Sequence, residues 1–209
     1  MEELVACEGT VHSVIFQNAE NGYTVLRLLT EEGEVITVVG CIPCVAPGEH
    51  LAVSGVPETH PQHGEQLRAV ELERSLPEDE EEIFSYLSSG ICKGVGPATA
   101  RRIVERFGAE TLDVLEREPE RLTTLKGVTA RKAQEIAESF RQHMGLRRLM
   151  AFLAQYQLPP VLAMELRRQY GDAALEKVRE NPYLLSGEAC GVEFSVTDGI
   201  ALGMGIDPD

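Results

Sequence analysis

Two glycine turns, thirty-three residues apart, are where this 209-residue sequence could do chemistry. Lys93-Gly94-Val95-Gly96-Pro97-Ala98-Thr99-Ala100 lines up with Lys126-Gly127-Val128-Thr129-Ala130-Arg131-Lys132-Ala133, and an isoleucine follows each copy three residues on, Ile103 and Ile136. Each copy reads as the end of one helix, a tight turn and the start of another. Glycine tolerates positive φ and lets a backbone come close to a ligand, and a helix start presents unpaired N–H groups and a partial positive charge. Such a turn suits a phosphate. Pro97 fits the first helical position, where its missing N–H costs nothing. The candidate contacts are Lys93, Gly94, Val95, Gly96, Thr99, Arg101 and Arg102 in the first copy, and Lys126, Gly127, Val128, Thr129, Arg131 and Lys132 in the second. A single turn of this kind does no more than close a helical hairpin about as often as it binds; two copies shift the balance toward binding. Related by local pseudo-symmetry, they could hold phosphates on both strands of a duplex across its minor groove. That contact reads no bases.

Other chemistry is thinner. The five cysteines, Cys7, Cys41, Cys44, Cys92 and Cys190, are an odd number scattered through a chain that needs no disulfide staples, so reduced thiols are expected. Cys41-Ile-Pro-Cys44 with His60 and His63 downstream raises a zinc site. No second C-x-x-C exists and the histidines are spaced too closely for the usual H-x₃₋₅-H, so no metal is expected. Neither a carboxylate cluster nor a nucleophile beside a base stands out, and no G-x-x-x-x-G-K-[ST] occurs, so the chain is expected to carry no enzyme activity and no cofactor of its own.

The elements that must position the turns follow from charge and periodicity. The net charge is −15. Residues 1–76 hold three Lys/Arg against twelve Asp/Glu and residues 77–82 add five acids, whereas 83–148 hold twelve basic against eight acidic residues. Both turns therefore lie in the basic stretch, and screening beyond about 8 Å lets a local basic face act despite acid elsewhere. Residues 1–76 alternate in five short runs, 11–16, 23–29, 34–39, 51–56 and 66–72, separated by turns at Asn21-Gly22, Glu32-Gly33 and His60-Pro-Gln-His-Gly64. Five strands in this length fit a small Greek-key barrel of the OB type. From Ile83 the period turns helical: Ala100, Ile103, Val104 and Phe107 share one face. Further helices are expected near 110–118, 129–143, 145–156, 160–170 and 172–180. A last one is expected beside the Ser195-Val-Thr-Asp198 capping box, running through Ile200-Ala-Leu202.

The expected fold is thus α+β in two parts: a five-stranded OB-like β-barrel at 1–76, then an acidic linker at 77–82 and an all-α region. That region comprises tandem turns at 83–148 and a helical extension at 149–209. No signal peptide or apolar span is present, which places the chain in the cytoplasm with no membrane contact.

The spacing of the turns resembles the tandem helix-hairpin-helix of DNA repair and recombination proteins. Nearly the whole chain resembles the N-terminal, non-motor region of long-form RecD-like superfamily 1 helicases. The resemblance rests on Asn18-Ala-Glu-Asn-Gly-Tyr-Thr-Val-Leu-Arg-Leu28, His60-Pro-Gln-His-Gly-Glu-Gln66, Tyr86-Leu-Ser-Ser-Gly-Ile-Cys-Lys-Gly-Val-Gly-Pro97, Glu180-Asn-Pro-Tyr-Leu184 and Gly191-Val-Glu-Phe194 with Thr197-Asp198-Gly-Ile-Ala201. It implies sequence-independent DNA contact through the turns and a following motor that moves 5′ to 3′ with ATP and Mg²⁺ in the parent protein. Thr129 stands where the first turn has Gly96, so the second turn is expected to be distorted or weaker. A third turn at Gly191 carries Glu193, which would repel phosphate, and is expected to be a packing element. With three basic residues, and Phe16 and Tyr23 as its only aromatics, the barrel is expected to dock the motor or another DNA-processing protein rather than a nucleic acid strand. The competing readings are a free-standing junction-binding module of the RuvA type, which would be a tetramer, and a protein-interaction scaffold whose turns have lost DNA binding.

Overall fold

In the computed structural model, which describes residues 4–188 and 190–206, β1 (Val5–Gln17) is long because it serves two neighbours. Its first half pairs with β4 (His50–His60) from Val5 opposite Gly55 to Thr10 opposite His50, and its second half pairs with β2 (Tyr23–Thr30). Register shifts between Val11 and Ser13 and between Val14 and Phe16 bend the strand so that it can turn from one partner to the other. With β3 (Val35–Cys41) and β5 (Gly64–Ser75), the sheet closes in the order β1-β2-β3-β5-β4, β3 and β5 pairing in parallel at Val38–Leu67 and Val39–Arg68. This is the expected OB-type barrel. The strands overrun the lengths read from alternation because the β4–β5 ladder continues past the core to His60 opposite Gly64, where neither face is buried. Inside, Leu26 and Leu28 of β2 meet Val11, Val38, Leu51, Val53 and Leu67, while Tyr23, Arg27 and Leu29 point out, as a period of two requires.

One charge is buried in the barrel wall. The fully covered carboxylate of Glu49 accepts from Arg74 through Nε at 3.1 Å and Nη2 at 3.0 Å, and from the Ala46 N–H at 3.0 Å, and Arg74 also donates to the Pro43 carbonyl at 2.8 Å.

The acidic run at 77–82 is not the linker its composition predicts. Asp79 caps α1 (Glu80–Tyr86) by accepting from the Glu82 N–H at 2.9 Å, and Glu80, Glu81 and Glu82 form the first turn, where negative charge meets the positive helix end. Glu82 is also tied to the barrel. Its Oε1 accepts from the Thr10 hydroxyl at 2.9 Å and lies 3.1 Å from His50 Nε2, and a Cβ on Gly48 would come within 2.2 Å of the Glu82 carbonyl. The contacts divide the chain into two compact units, Met1–Arg141 and Gln142–Asp209, with the barrel and both basic turns in the first.

Beyond α1 the first unit holds α2 (Pro97–Phe107), α3 (Thr111–Arg117) and the start of α4 (Ala130–Gln155). The two helices expected at 129–143 and 145–156 are one. Gly145 costs roughly 1 kcal/mol of helix propensity, which is too little to break a helix that buries Phe140, Met144, Leu149 and Leu153.

The second unit contains the rest of α4 with α5 (Val161–Tyr170), α6 (Ala174–Glu180) and α7 (Phe194–Gly203). Its interior repeats the first unit's sequence of elements. Gly108 ends α2 at φ 55°, ψ −134°, and Gly171, sixty-three positions later, ends α5 at φ 61°, ψ −141°. Pro119 and Pro182 then open short 3₁₀ turns whose Leu122 and Leu185 are fully buried. The capping box expected at Ser195 does not form. α7 begins one residue earlier, and Asp198 instead accepts from the Tyr183 hydroxyl at 2.9 Å, which also holds the phenol above its usual range.

Candidate nucleic-acid interface

The two basic turns match bond for bond. Gly94 and Gly127 sit at φ +85° and +83°. The Val95 N–H donates to the Cys92 carbonyl at 3.2 Å and the Val128 N–H to the Leu125 carbonyl at 3.1 Å. Helical bonding then starts with Ala100 N–H on the Gly96 carbonyl at 2.8 Å and Ala133 N–H on the Thr129 carbonyl at 2.9 Å. The distortion expected from Thr129 is absent. Gly96 has an extended backbone (φ −92°, ψ 177°) that any residue adopts, so a threonine fits the equivalent place. Thr129 Oγ1 accepts from the Lys132 N–H at 3.2 Å, and α2 has no side-chain cap but opens on Pro97, which has no N–H, so each helix starts with two unpaired N–H groups before its first helical bond, Ala98 and Thr99 in α2 and Ala130 and Arg131 in α4.

The candidate residues divide by surroundings. Lys93, Gly94, Gly96, Lys126, Gly127 and Thr129 are exposed together at the turns, and Thr99 lies half-buried in the first turn of α2. Val95 and Val128 are buried, with their N–H groups bonded within the turn, so they anchor the backbone rather than face a ligand. The lysines at 93, 126 and 132 make no ion pair among the described residues, whereas Arg131 pairs with Glu135 at 2.9 Å. Arg101 turns toward α1, pairing with Glu81 at 3.1 Å and stacking on the Phe84 ring at 3.7 Å. Arg102 donates through Nη1 to the Lys126 carbonyl at 2.6 Å, which joins α2 to the second turn. Ser139, which the sequence did not single out, accepts from the Lys93 N–H at 2.8 Å and joins the first turn to α4.

The third turn has the outline without the charge. Gly191 has φ +63°, but the Val192 N–H reaches back to the Leu185 carbonyl at 3.0 Å. Cys190, Glu193, Ser195 and Val196 stand where the second turn has Lys126, Thr129, Arg131 and Lys132, and Phe194 is 64% exposed at the helix start, stacked on Tyr183 at 5.3 Å. Glu193 heads α7 with no side-chain cap bond. The repeat at sixty-three positions, Phe107-Gly108 with Pro119 and Tyr170-Gly171 with Pro182, is the signal that would have marked this unit as a further copy.

In the barrel, the C-x-x-C and the histidine pair lie apart. Cys41 ends β3 just past the Val39–Arg68 pairing, beside the middle of β5, whereas His60 and His63 stack at the β4–β5 tip where β5 begins. Among the described residues no three His, Cys, Asp or Glu side chains group as a metal site.

Residues 3–77 match the family described as the OB-fold domain of the ATP-dependent DNA helicase YrrC. Residues 84–142 match the SAM-like helix-hairpin-helix tandem, and residues 142–209 match the helix-hairpin-helix domain of the ATP-dependent RecD2 DNA helicase. The chain matches the N-terminal region of RecD-like DNA helicases. It is 30% identical over 197 residues to the ATP-dependent RecD2 DNA helicase of Deinococcus radiodurans, a match that covers 91% of this chain and 27% of that protein. The RecD-like assignment thus concerns about a quarter of the relative's length. A chain of the solved S. pombe Stn1–Ten1 complex aligns at 20% identity with a TM-score of 0.29, over 34% of this chain and 57% of that one. No helix among the described residues is long and apolar enough to cross a membrane.

Proposed function

We propose that this segment is the DNA-contacting and docking region of a RecD-like helicase, gripping phosphates of either strand without reading bases. The observation that carries the reading is Gly96. Its backbone is ordinary, and a Cβ there would meet no atom within 4 Å, so the fold itself does not require a glycine. A glycine in open space between an exposed lysine and a helix start is what close approach of an outside phosphate asks for. The first turn, with the second turn whose equivalent residue is Thr129, engages only a handful of phosphates, which corresponds to a Kd of order 10⁻⁴–10⁻⁶ M.

The motor that the resemblance implies, moving 5′ to 3′ on single-stranded DNA in recombination or repair, would bind ATP and Mg²⁺ outside this segment. The barrel, with its excess of acid, serves as a docking surface for that motor or for another DNA-processing protein.

Fluorescence anisotropy with labelled duplex, fork and single-stranded DNA across a salt series tests the reading. Weak binding whose salt slope falls by about 0.9 for each of Lys93→Ala and Lys126→Ala is expected. No binding at about 50 mM salt overturns it and leaves a protein-interaction scaffold.

A further inference from the structure

Two contacts cross between the basic turns, and they run in opposite directions. Lys93 at the first turn donates its backbone N–H to Ser139 on the helix that follows the second turn, at 2.8 Å. The carbonyl of Lys126 at the second turn accepts from Arg102 on the helix that follows the first, at 2.6 Å. Each turn is thereby tied, at its own lysine's backbone, to the helix that the other turn starts. The two ties use main-chain atoms of the very residues whose side chains project toward solvent.

A duplex presents its phosphates at fixed spacing, so two grips act together only if the distance between them is held before binding. Without that, the second contact must order the protein as it forms, and the gain from joining two weak sites is lost. We infer that Arg102 and Ser139 are positioning residues that set the spacing of the two phosphate grips, and that Arg102 is not itself a phosphate ligand. This rests on the DNA-binding reading and removes one residue from its contact set. Arg101, like Arg102, is engaged by a neighbour at the surface, on Glu81 and Phe84, as Arg102 is on the Lys126 carbonyl. That leaves the lysines as the charges of the two turns that make no ion pair among the described residues, with Arg131 exposed but paired with Glu135.

Salt dependence separates a positioning residue from a ligand. Each phosphate contact contributes about 0.9 to the slope of log K against log salt, whereas a residue that only places the contacts lowers K at every salt and leaves the slope unchanged. The measurement uses the full 209-residue chain with a labelled duplex, comparing wild type with Ser139→Ala, Arg102→Gln and Lys93→Ala. Ser139→Ala changes no charge, so a fall in affinity of roughly two- to tenfold at constant slope is the expected result. Arg102→Gln is expected to do the same. The inference is overturned if Arg102→Gln lowers the slope by about 0.9, as Lys93→Ala does, or if Ser139→Ala binds like wild type. Thermal melts establish that each variant is folded; should Arg102→Gln not fold, Ser139→Ala decides alone. Failure of wild type to bind any DNA would instead defeat the underlying reading, and the two failures are read from different curves.

Discussion

Gly94 and Gly127, thirty-three positions apart, hold φ values of +85° and +83° in turns that share the same backbone hydrogen bonds. Neither has an atom within 4 Å of where a Cβ would stand, so their requirement for glycine is conformational. Alanine at either position is expected to cost about 1–2 kcal/mol, measured by urea unfolding. Gly96→Ala is strained by neither φ nor space and is expected to cost at most about 1 kcal/mol, the loss from alanine at a helix N-cap, with weaker DNA binding because the methyl group stands in the path of a phosphate. Unaltered binding by folded Gly96→Ala would remove the main support for a phosphate grip.

Arg74→Met leaves the Glu49 carboxylate fully buried with its main partner gone. Breaking such a pair from one side costs about 3–5 kcal/mol. Because the pair closes the barrel wall, the loss is expected in the unfolding transition of the first unit. A change under about 1 kcal/mol would mean that water reaches Glu49.

Gly48→Ala tests the seam between the barrel and α1. The position combines φ +87° with a Cβ only 2.2 Å from the Glu82 carbonyl. The strain alone is of order 1–3 kcal/mol, and relief requires α1 to move off the barrel. Limited proteolysis is then expected to cut within 77–82 faster than in wild type.

Burial pushes the Cys92 thiol up to about 12, and the thiols of Cys7 and Cys190 are raised by burial as well. A thiol that holds its proton more tightly when folded adds stability that is complete below its unfolded pKa, near 9, and is lost as pH rises toward 12. Unfolding free energy is therefore expected to fall between pH 9 and 11, less steeply in Cys92→Ala. Alkylation of the native protein at pH 8 should label exposed Cys41 first and spare Cys92; prompt labelling of Cys92 would contradict the burial.

What the sequence determined by itself is local. Alternation in residues such as Tyr23 to Leu29 marks a strand because successive side chains face opposite sides, and a glycine between a helical end and a helical start marks a turn because few other residues accept its φ. The barrel, the paired turns and the basic stretch that holds them were legible for that reason, as was the lack of basic charge at the third turn. What only the tertiary structure decided is which distant group each side chain meets. Arg101 and Arg102 are identical in sequence character, yet one stacks on Phe84 and the other reaches across twenty-four positions to the Lys126 carbonyl. The acidic run reads as a linker until Thr10 and His50 are placed beside Glu82. Val95 and Val128 read as turn residues until the core closes over them. Hydrogen bonds and ion pairs act over a few ångströms, and only the folded chain brings residues so far apart in sequence within that range.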